Sequence, residues 1–141
     1  MRTGPGRPWD VLLVEDNPGD VRLVREVLAD APEAIQLRVA PDGESALTML
    51  RGGSHPDLVL LDLNLPRTGG LEVLTELKGD PALRRVPVVV LTSSAAEHDV
   101  LGAYDRHANC FVTKPLRLDD FVDAVRAIAG FWLHAAVLPQ P

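Results

Sequence analysis

The sequence predicts an α/β domain: a doubly wound parallel sheet of five strands with helices on both faces. Three observations point there. Short apolar runs are continuous rather than alternating, which is the pattern of strands buried on both faces. Between them lie stretches with apolar residues at helical spacing, so strand and helix alternate along the chain. The chain has 141 residues, 46% of them hydrophobic and 24% charged, which suits one compact domain with a full core.

The elements follow in order. Residues 1–8, rich in Gly, Pro and Arg, are expected to form a flexible lead-in, with the folded domain over 9–130 and a C-terminal extension over 131–141. Val11-Leu12-Leu13-Val14 is the first strand, ending in acid. Asn17-Pro18 supplies an N-cap and a proline at the first helical position, Val21, Val24 and Leu28 give the helix its apolar face, and Pro32 ends it. Leu37-Arg38-Val39-Ala40 is the second strand, followed by a helix over 42–50 closed by Gly52-Gly53. Leu58-Val59-Leu60-Leu61 is the third strand and ends at Asp62; a loop through Asn64 and Pro66 leads to a helix carrying Leu71, Leu74 and Leu77. Val88-Val89-Val90-Leu91 runs into Thr92, a helix spans 97–106, and Cys110-Phe111-Val112-Thr113 stops at Lys114-Pro115. The closing helix carries Leu118, Phe121, Val125, Ile128 and Trp132 as an apolar stripe.

Composition removes several function classes. A net charge of -6 argues against sequence-independent nucleic-acid binding. No apolar run is long enough to span a bilayer and no secretion signal opens the chain, so no membrane association and a cytoplasmic location are expected. The lone Cys110 excludes an internal disulfide and reads as a small buried residue. His55, His98, His107 and His134 share no metal-ligand spacing.

What remains is the chemistry at the strand ends. In an open parallel sheet, ligands bind beyond the carboxyl ends of the strands. Glu15 and Asp16 follow the first strand, Asp62 the third, Thr92 the fourth and Lys114 the fifth. Each alone has a plain explanation: a turn aspartate, first-turn acids favouring a helix dipole, an N-cap, a solvated lysine. Together they make a site. Three clustered carboxylates need a cation among them, and all-oxygen ligands suit Mg2+. A carboxylate can serve as nucleophile for a phosphoryl group, with Lys114 and the cation supplying positive charge and Thr92 a hydrogen bond.

The segments Val14-Glu15-Asp16-Asn17-Pro18, Leu61-Asp62-Leu63-Asn64-Leu65-Pro66, Val90-Leu91-Thr92-Ser93 and Thr113-Lys114-Pro115 resemble the receiver domains of two-component response regulators, over nearly the whole chain. The resemblance implies a flavodoxin-like sheet of order 2-1-3-4-5 and a signalling phosphoacceptor rather than an enzyme acting on a substrate. It implies that Asp62 takes a phosphoryl group from a sensor histidine kinase. Mg2+ would be held by Glu15 (through water), Asp16, Asp62 and the backbone carbonyl of Asn64. It further implies that Thr92 and Phe111 form a switch pair, that Lys114 pairs with Asp62 or its phosphate, and that the bond before Pro115 is cis. Phe111 stands where many receivers have tyrosine.

The strings Val14-Glu15-Asp16-Asn17-Pro18-Gly19-Asp20-Val21-Arg22-Leu23 and His107-Ala108-Asn109-Cys110, with the late Phe131-Trp132, are similar to stand-alone regulators paired with bacterial phytochromes. That implies a bacteriophytochrome kinase as partner, output through an unidentified downstream protein, and a homodimer using the last helix and tail. After Lys114 too little chain is expected to remain for a DNA-binding module. Phe131 and Trp132 are the candidate dimer contact, since adjacent helical residues point apart and one can face outward. Two other readings differ at particular features. A haloacid-dehalogenase-type phosphatase normally has a second carboxylate two residues past the nucleophile, where this chain has Asn64. A non-phosphorylated receiver-like binding module would not need the complete set of functional groups found here.

Overall fold

Strands and helices alternate through a computed structural model that describes residues 7–53 and 55–139. The order is β1 (Trp9–Val14), α1 (Pro18–Ala29), β2 (Ile35–Ala40), α2 (Gly43–Arg51), β3 (Leu58–Leu61), α3 (Gly70–Gly79), β4 (Val88–Thr92), α4 (Glu97–Asp105), β5 (Cys110–Thr113) and α5 (Leu118–Gly130). All strand pairs are parallel and the sheet order is β2-β1-β3-β4-β5, as the sequence predicts. Residues 1–6 of the expected lead-in lie outside the described residues; Arg7 and Pro8 are exposed and in no regular element.

The continuous apolar runs are explained by a core on each face. Successive strand residues point to opposite sides. Leu12, Val14, Val59, Leu61, Val88 and Val90 pack with Ala46 and Leu50 of α2, Val73, Leu74 and Leu77 of α3, and Ala103 of α4. Val11, Leu13, Leu58, Leu60, Val89 and Leu91 pack with Val24, Val27 and Leu28 of α1 and Phe121, Val125 and Ile128 of α5. From Val11 to Val14 in β1, through β3 and as far as Leu91 in β4, both faces are therefore apolar and polar side chains follow only where these runs end.

Helix starts are fixed locally. The Asn17 side chain accepts from the Asp20 N–H at 3.1 Å with Pro18 in the first turn, and Asp42 accepts from the Ser45 N–H at 2.7 Å. Register brings the strand ends level: Val14 pairs with Leu61, Leu61 with Val90, and Thr92 with Thr113. The residues that follow each strand thus emerge at one edge.

The last helix departs from its expected stripe. Phe121, Val125 and Ile128 are buried, but Leu118 is 58% exposed. Past Gly130 the chain continues as a π-helical turn, Phe131–Ala135, closed by the Ala136 N–H donating to the Phe131 carbonyl at 2.7 Å. The wider turn brings Leu133 into the core as well as half-burying Trp132. Phe131 stays 56% exposed, its ring edge-to-face with Trp132 at 5.1 Å between centroids. Leu138 is buried too, so the extension packs on the domain at both Leu133 and Leu138. Among the described residues no helix is long and apolar enough to cross a membrane.

Candidate functional site

Asp62 sits one residue beyond β3, its N–H donating to the Val14 carbonyl at 3.0 Å, which ties it to the end of β1. Its Oδ1 accepts from the Thr92 hydroxyl at 2.8 Å and the Asn64 N–H at 3.0 Å. Its Oδ2 accepts from Lys114 Nζ at 3.1 Å. Glycine at 70 makes this position possible. A Cβ there would stand 2.4 Å from the Asp62 carbonyl oxygen, so only a glycine lets α3 start against the end of β3.

Lys114 is held at both ends. Its N–H donates to the Thr92 carbonyl at 2.7 Å, and Nζ donates to Glu15 Oε1 at 2.5 Å and Asp20 Oδ2 at 2.8 Å as well as to Asp62. The Lys114 side chain is only 9% exposed and Thr92 is fully buried. The bond to Pro115, expected to be cis, is not: no described peptide bond is cis. Trans is the isomer that an X–Pro bond prefers, and with it Lys114 already makes its backbone and side-chain bonds.

Glu15 and Asp62 are buried, whereas Asp16 is exposed at the rim. One carboxylate oxygen from each of the three lies within 4.8 Å of the others, close enough to share one cation. Burial pushes the Glu15 carboxyl up to about 7, against the pull of Lys114 and with a further push from Asp62. For Asp62, burial acts upward but is outweighed by the Asn64 N–H, the Thr92 hydroxyl and the Lys114 charge, so its carboxyl lies below the usual range. Lys114 is held above the ordinary lysine range: burial opposes this, and the Asp20, Glu15 and Asp62 carboxylates overcome it. Of the two buried acids Glu15 is therefore the one that takes up a proton more readily, and Asp62 keeps the negative charge of a nucleophile.

Five sequence-predicted residues, Glu15, Asp16, Asp62, Thr92 and Lys114, converge as expected from their strand ends. Asn64 lies at the exposed rim with its N–H on Asp62. Phe111 is a strand away, half-buried against the core face that carries α2, α3 and α4, and its N–H donates to the Tyr104 hydroxyl at 3.1 Å. Phe131 and Trp132 are not at this edge. Sequence reasoning missed Asp20. Its only signal was a place four residues after Asp16 in the first turn of α1, where an acid is ordinary.

The sequence matches the family of the response regulator receiver domain over residues 11–126. The chain belongs to that family. It is 44% identical to the response regulator Rcp1 of Synechocystis sp. over 138 residues, 94% of each chain. Among solved structures, the phosphorylated cyanobacterial phytochrome response regulator RcpA is 44% identical with a TM-score of 0.92, covering 94% of this chain and 99% of that one. The Mn(2+)-bound form of Rcp1 superposes with a TM-score of 0.90 at 44% identity and the same coverage. The bacteriophytochrome response regulator AtBRR is 41% identical with a TM-score of 0.70, covering 94% and 98%. The receiver is thus homologous to phytochrome response regulators, and the fold is one in which a relative binds a divalent metal.

Proposed function

We propose that Asp62 is the phosphoacceptor of a phytochrome-linked response regulator. The observation that carries this is the Asp62 carboxylate itself: buried, charged, and gripped by Thr92, Asn64 and Lys114 at the edge where the acidic cluster opens to solvent. A carboxylate oxygen of Asp62 attacks phosphorus, the bond from phosphorus to the histidine nitrogen of the kinase breaks, and that imidazole keeps the electron pair. Glu15 (through water), Asp16, Asp62 and the Asn64 carbonyl would hold Mg2+. When bound, the ion neutralises part of the charge spread over the phosphoryl oxygens. Lys114 supplies the fixed positive charge of the protein, and the Thr92 hydroxyl turns from Asp62 to a phosphoryl oxygen.

The switch follows from Thr92. It moves toward the phosphoryl group and leaves room on the β4–β5 side for Phe111 to turn inward, shifting an equilibrium between two arrangements of that region. Output goes to a protein partner rather than nucleic acid. Phe131 and Trp132, in the π turn that follows α5, serve a homodimer contact, with residues 9–130 as the receiver, 131–141 as its extension, and the cytoplasm as its location. The likeness to regulators of phytochromes supports a bacteriophytochrome histidine kinase as donor.

Two donors test the reading. Incubation with Mg2+ and acetyl phosphate should give a base-labile adduct, and a phosphorylated bacteriophytochrome kinase should transfer faster than an unrelated histidine kinase. No adduct from either donor would overturn the proposal; equal rates from both kinases would remove the phytochrome pairing alone.

A further inference from the structure

We infer that Asp20 is a positioning residue for this reaction, tethering Lys114 at the site while the other partners of the lysine are engaged elsewhere. The inference rests on the phosphoacceptor reading and adds a residue to it.

Lys114 Nζ has three protons to donate and three carboxylates to receive them, each from a different element: Glu15 after β1, Asp20 in the first turn of α1, and Asp62 after β3. Two of those partners have a second task. Glu15 and Asp62 both belong to the acidic group that can share a cation, and Asp62 also receives the phosphoryl group. Asp20 is outside that group. As a pure charge balance it is surplus, because Asp62 already sets one negative charge beside the one ammonium and Glu15 offers it a further acceptor. A third acid beside them adds repulsion unless it performs work that the others cannot.

Loading the site supplies that work. A cation held by the acidic group would engage Glu15, and phosphorus on Asp62 would remove the free negative charge of that carboxylate. One Nζ proton must then reach a phosphoryl oxygen, at the end of a long flexible stem with many rotamers. Asp20 is the partner that stays. Its backbone is fixed for the purpose, since the Asp20 N–H is capped by the Asn17 side chain at 3.1 Å and Pro18 sets the first turn. Its side chain is 24% exposed, dry enough for the charged hydrogen bond to hold. In the transfer itself a bond forms between an Asp62 oxygen and phosphorus and the bond from phosphorus to the donor breaks, its electron pair leaving with the donor. Asp20 exchanges neither bond nor proton.

The test compares the full chain with Asp20→Ala and Asp20→Asn. The initial rate of adduct formation from acetyl phosphate at saturating Mg2+ should fall about tenfold in Asp20→Ala and by less in Asp20→Asn, which keeps an acceptor oxygen. Magnesium affinity, measured by calorimetry, should change less than about twofold, since Asp20 is not a ligand. With Mg2+ and beryllofluoride bound, the Lys114 ammonium protons should give a slowly exchanging NMR signal in the wild type that is lost in Asp20→Ala. An unchanged or faster rate, a parallel loss of magnesium affinity, or a persisting ammonium signal would each overturn the inference. If Asp20→Ala loses its circular dichroism, Asp20→Asn carries the same comparison. Absence of an adduct on the wild type would instead defeat the phosphoacceptor reading, and this inference with it.

Discussion

Magnesium binding to the resting site should expel a proton from Glu15. The Glu15 carboxyl is pushed up to about 7, chiefly by burial, while Asp62 beside it stays charged. Coordination requires both as carboxylates, so the proton must leave. At pH 7 about half of the molecules carry it, at pH 6 about nine-tenths, and at pH 8 about one-tenth. Binding should therefore release those fractions of a proton, and the apparent affinity should fall about tenfold per pH unit below 7. The assay is isothermal titration of Mg2+ in pairs of buffers with equal pH and different ionisation enthalpies. The slope of apparent heat against buffer enthalpy counts the protons. Heats independent of buffer at pH 6 and 7 would refute the reasoning. The same shift has a stability consequence in metal-free protein. A carboxyl whose folded value is raised stabilises the fold fully below its ordinary 4.5, and that contribution is lost as pH rises through about 7. The full span is on the order of 3 kcal/mol. Asp62 has the opposite sign: its lowered value contributes above the ordinary 3.8 and is lost as pH falls below it.

Gly70→Ala places a methyl 2.4 Å from the Asp62 carbonyl oxygen, so β3 and α3 must part. A loss of about 2 kcal/mol in urea unfolding, with slower phosphorylation, is expected; an unchanged midpoint would contradict it. Tyr104→Phe removes the hydroxyl that accepts the Phe111 N–H on the edge strand. Stability should change by no more than about 1 kcal/mol, but hydrogen exchange at the Phe111 amide should accelerate in the resting state. Phe131→Asp should convert a dimer to a monomer in analytical ultracentrifugation without unfolding the chain, since that ring is 56% exposed. A wild-type monomer, or an undisturbed dimer in the variant, would remove Phe131 from the interface. Truncation at Gly130 is a poorer test because it deletes the buried Leu133.

The sheet was legible because Val11–Val14, Leu58–Leu61 and Val88–Leu91 are apolar on both faces and run into polar residues. Once those strands are parallel and in register, Glu15, Asp62 and Thr92 must emerge together, so the core of the site could be read from strand ends alone. Asp20 could not. An acid in the first turn of a helix stabilises the helix wherever it points, and only the tertiary structure shows that this one meets Lys114 beyond β5. The π turn at Phe131–Ala135 was equally hidden, because Phe-Trp-Leu-His-Ala contains neither Gly nor Pro to signal a change of helical pitch. Leu133 there joins the core beside the half-buried Trp132. The trans bond at Lys114–Pro115 corrects an expectation that came from family resemblance, since local sequence does not specify the isomer.

The central claim is that the Asp62 carboxylate, held by Thr92, Asn64 and Lys114, is the group that becomes phosphorylated. Intact-mass spectrometry after incubation with Mg2+ and acetyl phosphate tests it most directly. The wild type should gain the mass of a single phosphoryl group that is lost on brief alkaline treatment, and Asp62→Asn should gain none. An adduct of equal yield on Asp62→Asn, or none on the wild type, would contradict the account.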